Sequence, residues 1–199
     1  WTRSLRPGGR SCMGHRTQKP SQRGGAIQYA AAMARDAEKP LDQPVTWMDG
    51  STVGVHIYRG LPLLVVNTAS EGPFADQYGA LQLLYERFAP MGLEVLAFPS
   101  DDFGNEPREG ARLVRTVSRR YKLGFPLCRK VRVRGAEADP LWAHLSTSGP
   151  ERTRGPVTHD FTKFVIDPDG YLVDRLGPEV GPLDPRLIGL LTSALPTIT

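Results

Sequence analysis

An α/β domain with a central mixed sheet, flanking helices and a β-hairpin at its start is predicted by three features of the chain. Leu61 to Thr68 is an apolar run with β-branched residues, interrupted only by Asn67, the pattern of a strand buried on both faces. Behind it, within Asp76 to Phe88, Ala80, Leu81, Leu84, Tyr85 and Phe88 recur at helical spacing, and Leu93 to Phe98 is again a short apolar run, so the order is strand, helix, strand. Two turn signals, Asp49-Gly50 and Pro168-Asp169-Gly170, each separate strand-like segments.

The elements follow in order. Pro44 to Met48 and Val53 to Ile57 pair as a hairpin around Asp49-Gly50. The strand, helix, strand unit implies parallel strands joined by a right-handed crossover, and a ligand site is expected at the carboxyl end of its first strand. Glu109 to Leu123 reads as a second helix, Phe125 to Val133 as a strand and Pro140 to Leu145 as a short helix. Lys163 to Ile166 and Tyr171 to Asp174 form the second hairpin, and Asp184 to Ala194 is a closing helix with Asp184 as cap and Pro185 at its first position.

The amino end differs. Residues 1–25 combine Arg, Ser, Gly, Pro and Gln without a hydrophobic period and read as an extended basic arm. Being Arg-rich and free of acids, the arm resembles an organellar transit segment, and a start at Trp1 fits a processed chain. Residues 26–42 read as a short Ala-rich helix ending before Pro40, with a linker, and residues 43–199 as the folded domain. Seven of the 25 basic residues precede the first acid, Asp36, which leaves 18 against 21 acids, so the formal charge of +4 belongs to the arm and residues 36–199 are mildly acidic.

Composition narrows the class. A hydrophobic fraction of 40% with 23% charged residues is that of a folded domain and excludes a disordered or collagen-like chain. The longest apolar runs have strand length, short of the roughly 20 residues of a membrane-spanning helix. Cys12 and Cys128 lie far apart without metal-ligand spacing, which fits a reducing compartment.

Several separated motifs then point one way. Tyr58-Arg59-Gly60 and Leu63 to Ser70 are followed by Gln77-Tyr78, Leu84 to Phe88 and Gly92 to Pro99; beyond them stand Phe103-Gly104, Glu106-Pro107, Phe125-Pro126-Leu127, Asp139 to Trp142, and Phe161 to Asp167 with Asp169-Gly170. In order and spacing these resemble the glutathione peroxidase family across residues 43–192. The resemblance implies a thioredoxin-like fold and places the catalytic selenocysteine or cysteine two residues after Ala69-Ser70.

That position is Gly72, flanked by Glu71 and Pro73. A glycine carries nothing to oxidise, so the sulfenic or selenenic intermediate of the family reaction cannot form there. The resemblance puts the polarising Gln, Trp and Asn at Asp102, His159 and Asp160, and the resolving cysteine near Ser118; all are substituted. No catalytic residue and no cofactor are therefore expected. Cys128 reads as a small buried hydrophobe, and Cys12 sits on the arm beside Arg10, His15 and Arg16. Asp102, His159 and Asp160, with Glu71, are the candidates for a metal or acid/base site should they converge. Arg129, Lys130, Arg132 and Arg134 alternate with Val131 and Val133, and Arg115, Arg119, Arg120 and Lys122 cluster on the second helix. Both patterns read as solvated faces, the first also as a basic contact for nucleic acid or an acidic protein.

The function expected from this combination is a non-catalytic accessory subunit of a larger mitochondrial assembly: a respiratory or ATP synthase complex, or the mitochondrial ribosome. Its partners are then other protein subunits, with RNA or anionic lipid on the basic arm. The competing readings are a peroxidase or other oxidoreductase of the oxidative stress response, and a metal-dependent activity in the altered pocket.

Overall fold

The computed structural model describes residues 41–195, and the expected arm (1–25) and most of the expected helix and linker (26–42) lie outside them. Two strands, β1 (Pro44–Thr46) and β2 (Thr52–Gly54), form an antiparallel hairpin with Val45 opposite Val53. Its turn is shaped by the Asp49 carboxylate, which accepts from both the amide and the hydroxyl of Ser51, while Gly50 takes the positive φ of +89° that a side chain resists. The hairpin is shorter than expected because residues 55–58 turn into a 3-10 helix.

Four strands form the main sheet: β3 (Leu63–Thr68), β4 (Glu94–Pro99), β5 (Lys163–Ile166) and β6 (Leu172–Leu176), ordered β4-β3-β5-β6. β3 runs parallel to β4 and antiparallel to β5, and β5 runs antiparallel to β6. Among the described residues the α-helices are α1 (Gln77–Phe88), α2 (Gly110–Tyr121), α3 (Pro140–Leu145) and α4 (Pro185–Ala194).

Strand alternation divides the core into two layers. Leu64 and Val66 of β3 join Val95, Ala97 and Val165 in packing against Leu81 and Leu84 of α1, Leu113 and Val117 of α2, and Leu187 and Leu191 of α4. The opposite set, Leu63, Val65, Leu96, Phe98, Phe164 and Ile166, packs on the hairpin and on α3, where Trp142 meets Phe98 and Phe164 edge to face. Both layers are closed, which is why β3 reads as a continuous apolar run.

One expected element is absent. Phe125 to Val133 makes no continuous ladder: the Cys128 amide donates to Ala97, the Arg129 amide to Thr46 and the Val131 amide to Pro99. The segment divides its backbone bonds between the hairpin and β4, and Pro126 has no N–H to give. An alternating sequence identifies extended backbone but not its partner.

Asp184 caps α4 as expected, accepting from the Arg186 amide at 2.7 Å. Asp184→Ala should destabilise the domain by about 1 kcal/mol, read as a lower urea midpoint with an unchanged slope.

Candidate functional site

At the carboxyl end of β3 the chain leaves the sheet through Thr68, Ala69 and Ser70 and turns through Glu71, Gly72 and Pro73 before α1 begins. Two other segments close on this turn: residues 101–108, after β4, and residues 158–162, before β5.

The first contact is a buried carboxylate. Glu106 accepts from the Ser70 amide at 2.6 Å, the Ser70 hydroxyl at 2.7 Å and the Arg108 amide at 3.2 Å. Burial pushes its pKa up, against the pull of these bonds and of Lys130. Arg108 reaches back to Ser70 Oγ and to Glu71 Oε1, the latter at 2.6 Å, and the Glu71 amide donates to the Asn105 carbonyl. The two loops are thus tied across their whole width.

Asn105 fills the place from which a side chain at residue 72 would project. Gly72 has φ +87°, and a Cβ built there would lie 2.8 Å from Asn105 Cγ. The Asn105 amide nitrogen in turn donates to Asp160 Oδ2 at 2.7 Å. Asp160 is buried, its other oxygen has no hydrogen-bond partner, and burial above all raises its pKa. The glycine, the asparagine and the aspartate therefore form one packed unit.

The third segment is fixed from β3. Asn67 donates to the His159 carbonyl and accepts from the Thr162 amide, while the Phe161 amide donates to the Asn67 carbonyl. Phe161 adopts φ +58°, a left-handed conformation that strains a residue with a side chain. Lys163, fully buried, donates to the Phe161 carbonyl at 2.8 Å and steadies the turn from below.

These contacts sort the residues singled out from the sequence. Gly72 and Asp160 come together, joined by Asn105. Asp102 makes no hydrogen bond to them, although its charge helps raise the Asp160 pKa: its carboxylate accepts from the Val133 and Arg134 amides and lies 3.6 Å from Arg132, so it shapes the 132–134 loop. His159 is exposed, its ring hydrogen-bonds the Thr158 hydroxyl, and its charge opposes the rise of the Asp160 pKa. Among the described residues no group of three or more His, Cys, Asp or Glu side chains could hold a metal ion, and the metal site considered for Asp102, His159 and Asp160 has no geometric support. Ser118 lies on α2. Cys128 is fully buried in the layer with Val45, Phe98 and Trp142, and burial holds its thiol well above the usual range, where a sulfur is inert. No sequence signal marks Asn105 as a site residue, since an asparagine after glycine in a loop looks like any turn residue.

Beside this site a cleft of about 1040 Å³ opens between the hairpin turn and the 129–135 segment, lined by Trp47, Asp101, Asp102, Arg129, Lys130 and Arg132 among others. Lys130 stands 3.8 Å from Asp101 and 3.5 Å from Glu109, and Arg132 stands 3.3 Å from Glu137. Of the four alternating basic residues, Lys130 and Arg132 are ion-paired and Arg134 donates to the Asp102 carbonyl.

Comparison with known proteins agrees with this architecture. The glutathione peroxidase family description matches residues 42–146, which span β1 to α3. The probable phospholipid hydroperoxide glutathione peroxidase of Mesembryanthemum crystallinum is 37% identical over 155 residues, covering 73% of this chain and 91% of that protein. A hydroperoxy fatty acid reductase of Synechocystis is 39% identical over 137 residues, 65% of this chain and 81% of that protein. Among solved structures, Trgpx in apo form superposes with a TM-score of 0.61 at 28% identity, covering 78% of this chain and 97% of that one. The arrangement is thioredoxin-like, as expected. The expectation of a non-catalytic structural subunit in a mitochondrial assembly is corrected by these relatives, whose names are those of peroxidases and a hydroperoxide reductase. With its motifs, its sheet order and the match across the site-bearing segment in agreement, this chain belongs to the glutathione peroxidase family.

Proposed function

We propose that the chain is a thiol-dependent oxidoreductase that reduces hydroperoxides, and that the sulfur oxidised in the reaction is brought by the thiol co-substrate. The first part is supported by the family match over residues 42–146 and by the relatives' names. The second rests on position 72, the family's place for the peroxidatic sulfur or selenium, which is glycine here, with Asp102, His159 and Asp160 at the places of its polarising partners.

The reaction balances without a protein thiol. A co-substrate thiolate attacks one peroxide oxygen, the O–O bond breaks, and the departing oxygen takes a proton to leave as alcohol or water. A second thiol then displaces water from the sulfenic acid so formed, giving the disulfide. One peroxide is reduced and two thiols are oxidised. The part of the chain's own residues is to bind and to move protons. Asp160, whose carboxyl holds its proton to a higher pH than an exposed aspartate, is the buried acid beside Gly72, linked to it through Asn105.

Hydroperoxide consumption by the purified chain with glutathione or thioredoxin tests this. Turnover above the protein-free rate is expected, unchanged in Cys128→Ala, with no sulfenic acid trapped on the protein by dimedone. No turnover with either reductant removes the peroxidase reading. Turnover lost in Cys12→Ser keeps that reading but places the sulfur on the amino-terminal arm.

A further inference from the structure

We infer that the solvent face of α2 is a docking row for the phosphate backbone of a nucleic acid, a property separate from the peroxide site. Between Gly110 and Tyr121 the helix has no Asp or Glu. Leu113 and Val117 anchor it in the core. Arg112, Arg115 and Arg119 stand at i, i+3 and i+7, so they share one face, and Lys122 follows at the left-handed cap. All four are exposed.

Several other surface cations of the domain are ion-paired. Arg120, on a different face of the same helix, binds Asp76 at 2.9 Å; Arg108, Lys130, Arg132, Arg152 and Arg186 each have a carboxylate within ion-pair distance. Arg59, Arg87, Arg129, Arg134 and Arg154 are exposed without a carboxylate at ion-pair distance among the described residues, but they stand singly or on loops and not in a row along one helix. Among the described residues, Arg112, Arg115, Arg119 and Lys122 have no acidic partner. At about 1.5 Å of rise per residue the row extends roughly 15 Å. Like charges so spaced on a helix repel one another, and an anionic strand laid along the row relieves that repulsion.

The surroundings select the occupant. A folded protein partner needs an apolar centre to its interface, and the exposed large hydrophobics, Ile57, Leu83, Met91 and Leu183, all lie on other elements. A bilayer would meet the row as a plane, and two exposed carboxylates bracket it: Glu109 at the start of α2, and Asp76, held by Arg120 and Tyr121, at its end. A plane of anionic headgroups confronts both acids, whereas a phosphate strand follows the row between them. With no exposed aromatic ring on this face the contact reads charge and not sequence.

The test uses the full chain, whose basic arm also attracts polyanions, so the salt slope and not mere binding is the readout. Anisotropy of a labelled DNA duplex of about 20 base pairs is followed between about 50 and 200 mM salt. Replacing Arg112, Arg115 and Arg119 together by Ser should lower the slope of log K against log salt by about 3, near 0.9 for each phosphate no longer neutralised, with an unchanged melting temperature. The corresponding triple Lys variant should keep the slope. An unchanged slope in the Ser variant overturns the inference, as does binding to phosphatidylserine vesicles without binding to the duplex, or binding to neither.

Discussion

Gly72→Cys, the substitution that returns the family's sulfur, should destabilise the domain by about 2–3 kcal/mol and yield little peroxidase gain by itself. Two independent effects add. At φ +87° any side chain is strained, at roughly 1–2 kcal/mol. The new Cβ would also meet Asn105 Cγ at 2.8 Å, so Asn105 must swing away, which breaks its 2.7 Å bond to Asp160 and leaves that buried carboxylate with neither oxygen paired. Losing such a bond costs about 1 kcal/mol or more. Adding Asn105→Ala should recover part of the loss by removing the collision, and should open the thiol to peroxide. The observables are the urea midpoints of the two variants and the thiolate absorbance near the start of α1, followed against pH. If Gly72→Cys alone proves as stable as the parent and fully active, the Asn105 plug is not what the packing says it is.

This result bears on how the site reads from sequence. Gly72 is legible as a missing sulfur because the motifs on either side, Leu63 to Ser70 and Gln77-Tyr78, fix its place in the chain. That Asn105 has taken over the vacated space is not legible: the contact joins loops 33 residues apart in the sequence, and nothing in Gly104-Asn105-Glu106 signals an inward side chain. Asp102, His159 and Asp160 are expected to converge because they match converging positions of the family, yet the Asp102 carboxylate accepts its hydrogen bonds from the Val133 and Arg134 amides. The strands and helices fare better. β3 and β4 are specified by burial on both faces, which a short continuous apolar run reports, and α1 by burial on one face, which a 3.6-residue period reports. Phe125 to Val133 fails for the complementary reason: its alternation is real, but strand status depends on which backbone offers partners, and here two different sheets each supply a few.

Lys163→Met should make the protein more stable at neutral pH, by about 2 kcal/mol, and the advantage should vanish as pH rises. Lys163 is fully buried, and burial lowers its pKa from 10.5 to about 8, with Glu179 opposing only in part. In the unfolded chain the amine keeps its ordinary affinity for protons. Between about 8 and 10.5 the unfolded state therefore binds more protons than the folded one, and stability climbs with pH through that window. Below it the penalty is complete: a gap of about 2.5 pH units at 1.36 kcal/mol each corresponds to about 3 kcal/mol. Methionine removes that penalty but also the bond to the Phe161 carbonyl, a loss of about 1 kcal/mol, which gives the net figure. Urea unfolding at pH 7 and pH 10 reads both terms, the parent gaining on the variant as the pH is raised. A parent whose stability relative to Lys163→Met does not change between the two pH values would mean that the amine is already neutral, or already solvated, beneath the Phe161 turn.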